Sequence, residues 1–253
     1  MISVDGGTFT MGDNIMEDAP CHSVTLDKFY ISKYEINQKC YTEVMGHLPN
    51  MVSGTYGIGD NYPVYGLCWL DAVKFCNKLS IHDGLDTCYT INGSEVTFNK
   101  NAQGYRLPTE AEWEFVARGE NQSKNYTYAG SNNADDVAWY NASGSQIPDI
   151  VLSQVGKKLP NELGLYDMSG NVTEFCWDWY DSAYYQVYEN LNPARPTSSP
   201  TNKRVIREGS WAGYVIMANL AKRAYRFPDA SYETETVKAT YLAGGIRLVI
   251  TKT

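Results

Sequence analysis

Turn-forming residues punctuate the whole chain: 21 Gly and 10 Pro recur along 253 residues, with no Ser/Gly linker, no block of charge and no internal repeat. Glycine tolerates positive φ and proline removes a backbone donor, so both interrupt regular structure. Spread this evenly, they leave no composition shift to mark a domain boundary, and residues 1–253 are expected to form a single compact domain. Residues 121–158 and 180–202 follow neither a helical nor a strand period. Long aperiodic stretches inside one domain point to a loop-built surface carried on a small scaffold.

Two helices are legible against that background. In WLDAVKFCNKLSIHDG the apolar residues Ala72, Phe75, Cys76 and Leu79 recur at helical spacing, and Gly84 stands where the helix would stop. In LPTEAEWEFVARG, Thr109 and Glu112 form a capping box, Ala111 and Phe115 lie one turn apart, and Gly119 ends the run. A third, shorter helix is expected after Asn37. Short strands are expected over 23–26, 29–32, 204–207 and 246–250, where β-branched or aromatic residues sit between turn signals.

Hydrophobic residues make up 43% of the chain and charged residues 20%, enough apolar material for a core and too little charge for a disordered polymer. The net charge of −8 argues against nucleic acid or an anionic membrane as partner, because there is no cationic excess to release counterions. Six cysteines are too sparse for a disulfide scaffold and show no C-x-x-C pair; thiols are expected, with a Cys76–Cys88 bridge as the alternative. His22, His47 and His82 form no metal-binding pattern. No segment is apolar enough to span a membrane, and Met1 runs straight into ISVDGGTFTMG without a signal peptide, which leaves export open. Tyrosine is in excess, 20 residues against 6 Trp and 7 Phe, and its apolar body with a polar tip suits surface as well as core.

The blocks GGTFTMG, PVYGLCWLDAVKFCNKLS, GYRLPTEAEWEFVARG, NELGLYDMSGNVTEFCWDWY, REGSW, KRAYR and GGIRLV run in order from Gly6 to Val249. In order and spacing they resemble the formylglycine-generating-enzyme (sulfatase-modifying factor) family. The resemblance implies an α+β, C-type-lectin-type fold: limited antiparallel β-structure, two main helices and much loop. In RLPTEAEWE, Arg106 and the carboxylates of Glu110, Glu112 and Glu114 are dense enough for capping and ion pairs.

In GLYDMSGNVTE, the residues Asp167, Asn171 and Glu174 bring oxygen atoms into one tight loop, a composition that suits calcium over zinc. The resemblance implies a structural calcium there, held by the Asp167 and Glu174 side chains and the Gly170 and Val172 carbonyls. The alternative is that Asp167 and Glu174 pair with arginines or cap turns. No cofactor beyond this is required. Thr173 and Phe175 stand where the family commonly has tryptophans, a change in packing more than in ligation.

The family enzyme holds copper through two cysteine thiolates after its G-G-S-aromatic motif and activates oxygen to oxidise a substrate cysteine, chemistry that needs soft sulfur ligands. Counted from Trp211, the two positions are Gly213 and Ala218, and no cysteine follows Cys176. The resemblance in sequence therefore does not extend to the oxidase chemistry, and no catalytic residue is assigned. The segment 211–245 mixes large rings with small polar residues, the composition of binding loops. Trp211, Ala212, Tyr214, Ile216, Asn219, Tyr225, Phe227, Asp229, Tyr232 and Tyr241 are the candidate ligand-binding residues. Within the fold the chain also resembles the variable proteins of diversity-generating retroelements, in which a stretch beginning near G-S-W is rewritten while the frame is kept. The expectation that goes with it is a non-catalytic, receptor-like protein, extracellular or at the cell surface, binding a protein or other macromolecule; the net charge sets nucleic acid aside. A divergent oxidase and a structural adaptor are the competing expectations.

Overall fold

The computed structural model describes residues 1–142, 152–183, 190–194, 202–207, 209–214, 218–228 and 243–252. In chain order the elements of the first half are β1 (Ile2–Val4), β2 (Gly7–Met11), β3 (His22–Leu26), β4 (Phe29–Ile31), α1 (Gln38–Met45), α2 (Trp69–His82), β5 (Tyr89–Asn92), β6 (Glu95–Phe98) and β7 (Tyr105–Arg106). The second half holds α3 (Glu110–Ala117), α4 (Ala134–Val137), β8 (Ala138–Trp139), β9 (Ser169–Gly170), β10 (Thr173–Trp179), β11 (Arg204–Arg207), β12 (Arg223–Arg226), β13 (Gly244–Gly245) and β14 (Val249–Thr251).

Local chemistry sets the helix starts. Asn37 caps α1 by accepting the Cys40 amide at 2.9 Å, which satisfies one of the orphan donors of the first turn. At α3 the capping box closes in both directions: Thr109 accepts the Glu112 amide at 3.2 Å and Glu112 accepts the Thr109 amide at 2.8 Å. Gly119, at φ +84°, then turns the chain out of the helix. The stripe of Ala72, Phe75, Cys76 and Leu79 is the buried face of α2.

Two four-stranded sheets organise the rest, in the orders β1-β4-β14-β7 and β12-β11-β10-β13. The first is antiparallel throughout and ties the two ends of the chain together. The second is antiparallel except where β13 runs parallel to β10. Hairpins β2–β3 and β5–β6 and the short parallel pair β8–β9 complete the pattern. The strand expected at 246–250 begins only at Val249, because Leu248 and Ile246 give their carbonyls to the amides of Ser32 and Ile36, each at 2.8 Å.

β10 divides the core. Side chains alternate across a strand, so Phe175 and Trp177, with Ile206 of β11, pack beneath α2 among Trp69, Phe75 and Leu79. On the opposite face Cys176 and Val205 join the cluster formed by α3 and the β2–β3 hairpin, including Trp113, Phe115, Phe29 and Val24. Trp69 crosses the layer and donates its indole N–H to the Cys176 carbonyl at 2.9 Å.

Every residue of α3 is buried, its three glutamates included, so each carboxylate needs an internal partner. Glu112 receives Arg106 through two bonds of 2.7 Å. Glu114 receives Arg207 at 2.7 Å and Arg118 at 2.8 Å, and Glu110 receives Arg207 at 2.9 Å and Arg223 at 2.8 and 3.0 Å. Burial pushes both carboxyls up, but Arg223 and Arg207 at Glu110, and Arg207 and Arg118 at Glu114, outweigh it and hold them below their ordinary value.

Unfolded, these groups titrate near about 4.3, so the stability they supply is complete above that pH and is lost as pH falls through their lower folded values. Glu114→Gln removes the buried negative charge shared by Arg207 and Arg118, leaving Arg207 with Glu110 alone, and is expected to cost about 3 kcal/mol at neutral pH. Thermal melts from pH 7 down to pH 2 check this: the gap between variant and wild type narrows on the acid side, where the wild-type carboxyl is itself neutral.

Candidate ligand-binding surface

The arginine–glutamate pairs fix where the chain leaves the frame. Arg207 and Arg223 sit opposite one another on β11 and β12, both turned toward α3. Arg207 also binds the Leu220 carbonyl and so anchors the segment returning to β12. At the other end Arg247 meets both oxygens of Glu174 through Nε at 2.9 Å, and the Trp113 indole N–H adds a bond of 2.7 Å to the same carboxylate.

The described candidate residues fall into two groups. In the first, Trp211 is a correction: it is 1% exposed, packed among Tyr65, Leu152 and Val172 with its ring 5.0 Å from Tyr56, so it lies beneath the surface and does not line it. Its amide donates to the Asn171 carbonyl at 2.8 Å, tying the segment to the loop before β10. Ala212 packs half-buried on the same cluster, Gly213 accepts the Asn141 amide at 2.8 Å, and Tyr214 projects outward, 59% exposed. Asn219 spends its side-chain carbonyl on a local turn, accepting the Ala221 amide at 2.9 Å.

The second group lies on β12 and just beyond it. Tyr225 is 44% exposed, its ring 4.7 Å from Tyr180 and 3.8 Å from the Lys203 ammonium, which also approaches the Phe227 ring at 5.6 Å. Ile216, Asp229, Tyr232 and Tyr241 lie outside the described residues. Buried tyrosines elsewhere spend their hydroxyls inside: Tyr65 donates to the Ser53 carbonyl at 3.0 Å, and Tyr89 accepts the Leu107 amide at 2.9 Å.

The loop before β10 does not present an open set of calcium ligands. Glu174 is wholly buried and its carboxylate is taken by Arg247 and Trp113, so the expectation that it ligates calcium is corrected in favour of the arginine pair. Asp167, at φ +54°, accepts the Gly156 amide through Oδ2 at 2.6 Å, and its buried Oδ1 has no partner among the described residues. Gly170 and Val172 are buried, and a Cβ at Gly170 would collide with the Trp139 backbone. Calcium takes roughly six to eight oxygens, and among the described residues no group of three His, Cys, Asp or Glu side chains is arranged to hold a metal. Of the two side chains expected as ligands, Glu174 is committed to Arg247, and Asp167 is the one with an oxygen left unbonded among the described residues.

Glu35 is a member of this loop cluster that no sequence pattern marks. It accepts Asn171 Nδ2 at 2.7 Å and the Val172 amide at 3.1 Å from a position 136 and 137 residues away. Burial, then the neighbouring charges of Asp167 and Glu174, pushes its carboxyl well above the usual range. Asp167 is pushed up to about 6, again mainly by burial.

Ala218, one of the two positions matched to family thiolates, is buried against Ala134 and Ala138, and Gly213 is half-buried. The six cysteines are all free thiols, so Cys76 and Cys88 stay unbridged, and burial raises both above the ordinary thiol value.

A fold of two small antiparallel-rich sheets with few helices and long connections, closed end to end by β1, β4 and β14, is shared with known proteins. The chain belongs to the sulfatase-modifying factor enzyme 1-like domain family, whose model matches residues 1–251. It is 37% identical over 249 aligned positions to Chaperone protein LppX of Paenibacillus barcinonensis, covering 87% of this chain and 81% of that one. To the formylglycine-generating enzyme of Mus musculus it is 26% identical over 271 positions, covering 91% and 72%. Treponema denticola variable protein 1 superposes with a TM-score of 0.85 at 30% identity, over 100% of this chain and 95% of the other. The relatives thus include an enzyme, and the fold is shared with a variable protein. Among the described residues no helix is long and apolar enough to cross a membrane.

Truncation separates surface from support. Tyr214→Ala is expected to change stability by less than about 0.5 kcal/mol, whereas Trp211→Ala removes a packed indole and costs about 3–5 kcal/mol. Urea unfolding of the two variants reads both values.

Proposed function

We propose that this chain is a non-catalytic, receptor-like protein that displays a diversified C-terminal surface, drawn from residues 211–245, on a C-type-lectin-type frame. The carrying observation is the contrast within that segment: Tyr214 and Tyr225 stand 59% and 44% exposed while Trp211, Arg223 and Arg226 beside them are buried. Large rings on a rigid base supply contact area at low entropic cost, which is how binding loops work. The likeness to Treponema denticola variable protein 1 supports the same reading.

The ligand is a macromolecule, and a protein is favoured by the relative named as a chaperone protein. Nucleic acid is disfavoured by the net charge of −8, and an extracellular or cell-surface location goes with the receptor reading. Catalysis by the family's copper chemistry is disfavoured because Gly213 and Ala218 supply no thiolate. A divergent oxidase remains the second reading, since the family includes the formylglycine-generating enzymes.

Sequencing the locus across related isolates tests the proposal. Substitutions concentrated at Ala212, Tyr214, Asn219, Tyr225 and Phe227, with Trp211, Arg223 and Arg226 unchanged, are expected; uniform scatter along the gene would sink it. Copper reconstitution followed by oxygen uptake on thiol peptides is expected to give no turnover, and sustained uptake would establish the oxidase instead.

A further inference from the structure

The hairpin β5–β6 turns through two residues, Gly93 and Ser94, with Asn92 and Glu95 as its closing pair. Gly93 stands at φ +64°, the left-handed conformation that the first position of so tight a loop demands. Asn92 is the one asparagine of the chain that glycine follows. Elsewhere asparagine side chains are tied down: Asn77 holds the Tyr89 backbone through bonds of 2.7 and 3.1 Å, Asn161 donates to the Val116 carbonyl at 2.7 Å, and Asn171 donates to Glu35 at 2.7 Å. The Asn92 side chain is exposed and makes no hydrogen bond among the described residues.

A side-chain amide beside a free backbone N–H is a reactive pair, because nucleophile and carbonyl carbon already share one molecule. Three things protect an asparagine from attack by the next backbone nitrogen: a Cβ on the following residue, a hydrogen bond that holds the nucleophile, and a backbone fixed in place. Gly93 has no Cβ, and nothing lies within 4 Å of where one would stand. Its N–H makes no backbone hydrogen bond among the described residues. The closing pair must open before the ring can form, and it lies at the solvent-exposed end of two four-residue strands, where local opening is easiest.

We propose that Asn92 is a modification site, converted spontaneously through a cyclic imide with Gly93 into a mixture of aspartate and isoaspartate. The Gly93 nitrogen gives its proton to solvent base and bonds to Cγ of Asn92; the side-chain nitrogen takes up a proton and leaves as ammonia. Water then opens the imide at either of its two carbonyls, so that the net change is one water in and one ammonia out. Opening at one carbonyl gives aspartate; opening at the other gives isoaspartate, which routes the backbone through the former side chain and lengthens it by a methylene. Both products place a carboxylate opposite Glu95, and like charges directly opposite weaken a strand pair. The loosening stops at the base of the hairpin, where Asn77 clamps Tyr89, and Tyr89 and Phe98 pack on Trp177 with ring centres at 5.3 and 5.0 Å. The site belongs to the frame and not to the 211–245 segment, and it stands or falls separately from the receptor reading.

The test holds the full chain at pH 8 and at pH 6, with samples digested at intervals. Mass spectrometry follows every asparagine-containing peptide, and an isoaspartate-specific methyltransferase with a labelled methyl donor counts isoaspartate. The peptide carrying Asn92 is expected to convert ahead of all others, faster at pH 8 than at pH 6 because the attacking nitrogen must lose its proton, with isoaspartate as the larger product. Asn92→Gln, which would have to close a larger ring, is expected to abolish that methylation. In the converted fraction hydrogen exchange is expected to quicken over residues 92–95 and to stay slow at Tyr89. Conversion at Asn92 no faster than at the other asparagines, a product free of isoaspartate, or methylation that survives Asn92→Gln overturns the proposal.

Discussion

Arg207 reaches from β11 to the first turns of α3 and meets Glu110 at 2.9 Å and Glu114 at 2.7 Å, with all three side chains shut off from water. Arg223 shares Glu110 from the neighbouring strand, and Arg118 shares Glu114 from the end of the helix. Charges buried in a medium of low dielectric tolerate little displacement, because each carries a desolvation cost of several kcal/mol that only close pairing offsets. The helix and the sheet are therefore locked in one relative position. Arg247 and Glu174 repeat the arrangement on the next strand, where Trp113 of α3 also contributes.

That lock has a functional consequence. Arg207 and Arg223 fix the two points at which the chain leaves β11 and enters β12, so exposed rings near them such as Tyr214 and Tyr225 stand on a base held by other residues. Gly213 and Ala218 illustrate the point at the two positions matched to thiolates: the alanine is simply packed among other alanines, with Tyr128 and Tyr140 over them. The tyrosine excess divides accordingly, between buried rings with internally bonded hydroxyls, such as Tyr65 and Tyr89, and outward rings such as Tyr214 and Tyr225.

What was legible in the sequence was local. The Thr109–Glu112 capping box spans three residues, the α2 stripe repeats within one helix, and 204–207 is a strand with the bounds expected of it. What was not legible depends on contacts far apart in the chain. β10 is not marked as a strand in the sequence, because a strand buried on both faces loses the alternation of apolar and polar residues that marks an exposed one. Glu174 invites a metal until Arg247, 73 residues later, is seen to occupy it. Glu35 has no local signature at all, and Trp211, taken as a contact residue, is claimed by a core cluster that only the fold assembles.

The central claim is that a rigid ion-pair frame carries a surface whose exposed residues are free to change. Two displayed libraries sorted for cooperatively folded protein test it most directly, one randomised at Ala212, Tyr214, Asn219, Tyr225 and Phe227 and the other at Arg207, Arg223 and Arg247. The account predicts that most members of the first stay folded with melting temperatures near the parent, while the second is almost emptied by the sort. Equal survival of the two libraries, or collapse of the first, would contradict it.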